Sequence, residues 1–138
     1  NMSATFPKEQ SEDLYKEKLS TEAYRVLRQN GTEYPFTGLY DKHFEKGSYH
    51  CAACDTQLFE SGHKYNSGCG WPAFDTAIPG AVLYIEDNSH GMRREETRCA
   101  ACNSHLGHVF EDGPVDTTGE RYCINSVCLI FVPEKTTK

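Results

Sequence analysis

Long apolar stretches are missing from this chain. The longest uninterrupted run, Val127 to Val132, has six residues, far short of the roughly 20 that a membrane-spanning helix needs. No membrane partner is expected. The N-terminal stretch NMSATFPKEQSEDLYK also lacks the apolar core of a signal peptide. A cytoplasmic location is the expectation, or an organellar one if a targeting segment was removed ahead of Met2. Excess positive charge is missing too: 14 Lys and Arg face 20 Asp and Glu. The chain therefore has no general attraction to phosphate backbones, and nucleic acid is excluded as an expected partner. Repeats with periods of roughly 20 to 50 residues are absent, and biased sequence is confined to the last few positions.

What is present fits one domain, residues 1–138. A chain of this length buries roughly two-thirds of its unfolded surface and needs no second domain or partner copy to be stable. It is expected to be a monomer. Helical signals are confined to the N-terminal third. Ser11-Glu-Asp and Ser20-Thr-Glu each place a capping hydroxyl before acidic residues that the helix dipole favours. Tyr24, Leu27 and Arg28 share a face of the second helix. Asn30-Gly31 suits a left-handed stop, although Asn30-Gly31-Thr32 is also a glycosylation sequon. From Pro35 onward glycines punctuate short β-rich pieces, Ala81 to Ile85, Leu106 to Phe110 and Tyr122 to Val132. That is an antiparallel β pattern.

Seven cysteines need sorting. Cys51-Ala-Ala-Cys54 and Cys99-Ala-Ala-Cys102 are two identical hooks, and together they supply the four thiolates of a closed structural zinc site. The 44 residues between them exceed finger spacing, so the expected role is a staple between two sheet elements. Redox CxxC chemistry would need a thiol at a helix N-terminus after a parallel strand, which a glycine-punctuated β pattern does not offer. A disulfide framework is disfavoured by the odd cysteine count and the length of the chain.

Cys69, Cys123 and Cys128 remain. Cys69 lies between glycines in Ser67-Gly-Cys-Gly-Trp-Pro-Ala-Phe74, an accessible turn beside the single tryptophan, Trp71. If Arg121-Tyr-Cys-Ile-Asn125 is extended, Arg121, Cys123 and Asn125 alternate onto one face. A guanidinium there would raise the thiolate fraction of Cys123, which is a few per cent for an ordinary thiol at neutral pH. Cys128 would point the other way, into the core. Four of the six histidines, His43, His50, His63 and His90, stand alone and read as surface residues. His105-Leu-Gly-His108-Val-Phe110 differs, because it follows the second hook directly. In a regular strand His108 and Phe110 share a face and His105 does not, so joining the two imidazoles needs a turn near Gly107. Two structural histidines remain the alternative.

GCGWPAF, HLGHVF and RYCINS, interleaved with two CxxC hooks, resemble the B-type peptide-methionine (R)-S-oxide reductases over about residues 14–133, leaving short flexible tails. The resemblance implies a mainly β fold, an antiparallel two-sheet barrel or tent behind N-terminal helices. It implies Cys123 as the catalytic cysteine, Cys69 as the resolving cysteine, and Cys51, Cys54, Cys99 and Cys102 as ligands of one Zn2+. It also puts Trp71, His105, His108, Phe110, Arg121 and Asn125 around the substrate. Cys128 departs from a position that often carries a small non-thiol residue, which leaves a third redox thiol open.

On this reading Cys123 attacks the sulfur of methionine-R-sulfoxide in oxidised proteins or peptides, with a histidine protonating the departing oxygen. His108 is the favoured donor and His105 its helper. Trp71 and Phe110 bracket the substrate methyl group. The resulting sulfenic acid condenses with Cys69, and a thioredoxin-like dithiol reopens the disulfide, completing a protein-repair cycle. The alternative is a non-catalytic zinc-stapled β-tent that binds ligands in an aromatic cage. Such a module has no use for the unpaired thiols Cys69 and Cys123.

Overall fold

A computed structural model describes residues 6–135. Of the tails expected to be flexible, residues 1–5 and 136–138 lie outside the described residues. Helix α1 (Glu12–Lys18) starts where the Ser11 hydroxyl accepts from Leu14 N, and α2 (Thr21–Gln29) starts where Ser20 accepts from Ala23 N. Both caps are the serines expected from sequence, since each hydroxyl satisfies a backbone donor that a helix start otherwise leaves unpaired. Asn30 ends α2 at φ 58°, the left-handed stop, and Gly31 N–H returns to Arg25 O. Ala23, Val26 and Leu27 face the core.

Arg28 lies on the same inward side, its side chain only 5% exposed. It donates to Glu9, Glu12, the Cys102 carbonyl and the Ser104 hydroxyl, and stacks 4.3 Å over Tyr15. One guanidinium thus fastens both helices to the second CxxC hook.

The rest is β structure in two antiparallel sheets. One holds β2 (Gln57–Glu60), β1 (Gly47–Cys51) and β9 (Leu129–Pro133), in that order. The other runs β3 (Lys64–Tyr65), β4 (Ala73–Phe74), β8 (Arg121–Ile124), β7 (His105–Phe110), β6 (Arg94–Cys99), β5 (Val82–Asp87). The mainly β, two-sheet class expected from sequence is the class observed. Tyr49, Leu58, Phe59, Phe74, Leu106 and Ile124 are buried between the sheets, and the Phe59 and Phe74 rings stack at 4.3 Å. Among the described residues no helix is long and apolar enough to cross a membrane.

One element differs from the sequence reading. The piece Tyr122 to Val132 is two strands in different sheets, parted by a 3-10 turn at Ser126–Cys128. Strand parity therefore does not govern Cys128. It is nevertheless a core thiol, fully buried and donating to His105 O at 3.3 Å. Deep burial also pushes its thiol well above the ordinary range.

Candidate active site

The two hooks have the same local construction. Cys51 ends β1 and Cys99 ends β6, so each hook hangs from a different sheet. After the second cysteine comes a left-handed residue, Asp55 at φ 69° and Asn103 at φ 66°. Asx residues tolerate that conformation, and their N–H groups close onto Cys51 O at 2.7 Å and Cys99 O at 2.8 Å. One residue further on, Thr56 and Ser104 bring hydroxyls within 3.1 Å of the Cys54 and Cys102 sulfurs. All four sulfurs lie within 4.8 Å of one another. Cys51 to Cys102 is 3.7 Å and Cys54 to Cys99 is 3.6 Å, close to the ~3.8 Å edge of a tetrahedron with metal–sulfur bonds of about 2.3 Å. Four thiolates so placed can hold one metal ion and leave no ligand position for substrate.

Cys123 sits mid-strand in β8, between Ala73 of β4 and His108 of β7 in register. Gly107 lets β7 approach here: a Cβ on it would lie 2.0 Å from the Cys123 carbonyl oxygen. Cys123 opens onto a cleft of about 90 Å³ lined by Thr32, Trp71, Arg94, Gly107, His108, Phe110 and Asn125. Since a water's share of liquid volume is about 30 Å³, the cleft suits one small group. Asn125, just past the end of β8, is buried and tied down on both sides: Oδ1 accepts from Glu33 N at 3.0 Å and Nδ2 donates to Leu106 O at 2.9 Å. Trp71 is fixed by its Nε1 donating to Glu33 O at 3.2 Å.

Cys69 reaches Cys123 from another side, with the sulfurs 3.3 Å apart. Its own opening is a separate groove with Tyr65, Asp112, Pro114 and Arg121. Arg121 therefore faces that groove rather than the small cleft. Its guanidinium pairs with Asp112 at 2.8 Å and lies 4.4 Å over the Phe110 ring. The two thiols are unequal. The hydrogen bond with Cys123 brings Cys69 down to about 5. The same contact, with burial, pushes Cys123 far above the ordinary thiol range, and the opposing pull of Arg121 is smaller. Arg121 does pull Cys123 in the direction expected from sequence, but a neighbour brought in from another strand connection outweighs it.

His105 and His108 do come together, with ring centroids 5.8 Å apart, but without a turn at Gly107. Gly107 pairs with Thr97 and His105 pairs with Arg98, so Leu106 is an extra residue on β7. This bulge reverses the alternation and brings His105 to the side of His108. Each imidazole holds a carboxylate from another strand: His108 Nε2 to Asp87 Oδ2 at 2.8 Å, His105 Nδ1 to Glu96 Oε2 at 2.6 Å. His108 lines the small cleft, whereas His105 lines an adjoining polar cleft that also includes His108. Burial holds His108 below the ordinary imidazole value despite the pull of Asp87. His108 in turn holds the Asp87 carboxyl well below the carboxylate range.

Asp87, Glu96, Glu33 and Arg94 carried no sequence signal. Asp87 is 21 positions from His108, Glu96 is 9 from His105 and Glu33 is 92 from Asn125, and none of the four belongs to a motif. Three histidines read as lone surface residues have partners: half-buried His43 bonds the Tyr49 hydroxyl at 2.8 Å, half-buried His50 lies 2.9 Å from Ser48 Oγ, and exposed His63 lies 3.1 Å from Asp75 Oδ1. His90 is exposed.

Residues 19–133 match the model of the SelR domain. A probable methionine-R-sulfoxide reductase B of Caenorhabditis elegans is 53% identical over 91% of this chain and 84% of its own length. A peptide methionine sulfoxide reductase MsrB of Chromohalobacter salexigens is 55% identical over 91% of this chain and 95% of its own. Among solved structures, the Mis18 "Yippee-like" domain superposes with a TM-score of 0.53 over 67% of this chain and the whole of that one, at 16% identity, a likeness of fold alone. With this match across both hooks, the cleft and the paired thiols, the chain belongs to the SelR family, alongside the methionine-R-sulfoxide reductases B.

Proposed function

We propose that this protein is an oxidoreductase that reduces the R diastereomer of methionine sulfoxide, in oxidised proteins or peptides, to methionine. The observation that carries this reading is the pairing at 3.3 Å of Cys69 with Cys123, which itself lines a cleft walled by Trp71, Phe110 and His108. The Cys123 proton passes to the adjacent Cys69 sulfur, and the Cys123 thiolate attacks the sulfoxide sulfur. His108, or His105 behind it, delivers a proton to the sulfoxide oxygen. The hydroxyl moves to the Cys123 sulfur, giving a sulfenic acid and releasing the thioether with the bonding electron pair. Cys69 then attacks that sulfenic sulfur. The disulfide forms, and the hydroxyl leaves with the Cys69 proton as water.

A thioredoxin-like dithiol reopens the bond by exchange, a step suited to a reducing compartment such as the cytoplasm. Trp71 and Phe110 receive the methyl group and so select the diastereomer. Asn125 and Arg121 hold the strand end and the charge balance around the two sulfurs. The four-thiolate site takes Zn2+, whose preference for tetrahedral sulfur matches the observed spacing, and the metal serves the fold rather than the reaction. Every group used up to disulfide formation lies on this chain, which acts as a monomer in this reading.

The test supplies a dithiol reductant and each sulfoxide diastereomer to wild type and to Cys123→Ser at equal metal content. Reduction of the R form by wild type alone is expected. Activity retained in Cys123→Ser refutes the nucleophile, and peptide mapping that finds Cys123 linked to Cys128 refutes the role of Cys69.

A further inference from the structure

Asp87 ends β5 and stands opposite Arg94, the first residue of β6, in antiparallel register. It is held on both carboxylate oxygens. Oδ1 accepts from Ser89 N at 3.0 Å, while Oδ2 accepts from Arg94 Nη2 at 3.3 Å and faces His108 Nε2 at 2.8 Å. With His108 and Ser89 holding it well below the ordinary carboxyl range, Asp87 stays ionised at neutral pH. An ionised carboxylate can only accept, so the His108 nitrogen that faces it, Nε2, carries hydrogen. That settles the tautomer. Nδ1 of His108 has no partner among the described residues and is not one of the buried unpartnered atoms, so it is open to a cleft. Asp87 lines the polar cleft but not the small one, whereas His108 lines both. Nε2 is thus turned to the polar side, and Nδ1 is the nitrogen left for the cleft that opens on Cys123.

We propose that Asp87 is a positioning residue for the reduction: it keeps His108 as the Nε2–H tautomer, so that the proton bound for the sulfoxide oxygen is carried on Nδ1. The inference rests on the function proposed above and names the atom that delivers its proton. The polar cleft, about 290 Å³, has room for several waters at about 30 Å³ each. A proton taken up from that water makes His108 an imidazolium with hydrogen on both nitrogens. As the Cys123 sulfur attacks, Nδ1 gives its proton to the sulfoxide oxygen. The neutral ring that remains still has Nε2–H on Asp87, and no ring flip is needed before the next proton. The titratable and charged groups around His108 are Asp87 on β5, Arg94 and Glu96 on β6, His105 on β7, Cys123 on β8 and His90 in the turn after β5. Burial lowers the imidazole, and the pull of Asp87 opposes it. Removing the Asp87 charge therefore lowers it further.

The test is Asp87→Asn, whose amide keeps the shape, carries no charge and can offer an N–H to the ring. Asp87→Glu serves as the conservative variant. Ring-nitrogen chemical shifts of His108 in isotope-labelled, reduced protein report the tautomer without any turnover, and single-turnover reduction of methionine-R-sulfoxide is followed against pH. Wild type is expected to show a neutral His108 with hydrogen on Nε2. Asp87→Asn should move that hydrogen to Nδ1 and slow the single turnover at pH 7 by about 10- to 100-fold, a large part of what a general acid contributes. It should also shift the alkaline fall of the rate to lower pH, with KM nearly unchanged because Asp87 does not line the small cleft. Asp87→Glu should recover most of the rate. A wild-type His108 with hydrogen on Nδ1 overturns the proposal, and so does an Asp87→Asn protein whose rate and pH midpoint match wild type. A loss of rate that is equal at every pH and accompanied by a lowered melting curve overturns it as well, since a merely structural role leaves no mark on the pH profile. Absence of sulfoxide reduction in wild type refutes the proposed function instead, and the ring shifts still decide whether Asp87 sets the tautomer.

Discussion

Replacing Cys123 with alanine should move the titration of a different residue, Cys69. In the wild-type pair the Cys123 thiol stabilises the Cys69 thiolate across 3.3 Å, and Cys69 titrates at about 5. Without that donor it should return most of the way to the ordinary thiol value of about 8.5, with Ser67 and, less so, the Trp71 backbone and Arg121 retaining a part of the shift. At pH 7 this takes Cys69 from about 99% thiolate to about 3%, a factor of about 30. A single rate at neutral pH would nevertheless be a poor readout. Nucleophilicity falls with basicity at a Brønsted coefficient of about 0.4–0.5, so the wild-type thiolate is intrinsically slower by about 25- to 55-fold, and the two effects nearly cancel. The midpoint of the pH profile does not suffer this cancellation. Short iodoacetamide pulses from about pH 4 to about pH 10, with Cys69 quantified by peptide mass, give that midpoint free of the four hook cysteines. A Cys123→Ala midpoint still near 5 would refute the claim that Cys123 sets the ionisation of its partner.

Four further outcomes are expected. Gly107→Ala puts a Cβ 2.0 Å from the Cys123 carbonyl, so β7 and β8 must separate; a loss of about 2–4 kcal/mol in urea melts is expected, together with loss of sulfoxide reduction. Arg28→Ala leaves Glu9, Glu12 and the Cys102 carbonyl without their shared donor, and should cost about 2–4 kcal/mol, with Arg28→Lys restoring little because an ammonium lacks the planar fork. Strong chelation should release one metal ion per chain and unfold the protein in circular dichroism, since tetrahedral thiolate sites couple binding to folding; a chelated protein with an unchanged melting curve would refute the staple. Glu33 is buried, with Oε2 unpartnered among the described residues, and burial raises its pKa. A raised carboxyl favours the native state below the unfolded value and loses that advantage as pH rises through the folded one. Glu33→Gln should therefore stabilise the protein at pH 7 relative to wild type, with the difference shrinking toward pH 4 in paired thermal melts.

Much of the site was legible because its parts are local. A CxxC hook needs only a short turn, so both hooks, and even their Asx-hydroxyl followers, are written contiguously at residues 51–56 and 99–104. Serine caps and the Asn30 stop act within one helical turn, which is why Ser11, Ser20 and Asn30 could be read directly. The break at Ser126–Cys128 was not legible, because Val127 and Cys128 run straight on into the apolar strand β9 with no glycine or proline between. Nor was the bulge at Leu106, which depends on how β6 registers against β7.

By itself, then, the sequence determined which sulfurs exist in pairs, which thiols are left over, and which aromatic and imidazole residues travel with them. Tertiary structure alone decided how those groups act on one another. Cys69 and Cys123 are 54 residues apart in the chain yet 3.3 Å apart in space; that contact, not the neighbouring Arg121, governs their protons. Asp87 and Glu96 reach the histidines only because β5 and β6 lie beside β7. Hydrophobic patterning specifies the faces of a strand, but electrostatics falls off over a few ångströms of space irrespective of chain separation. Reactivity is therefore settled only when the sheets close.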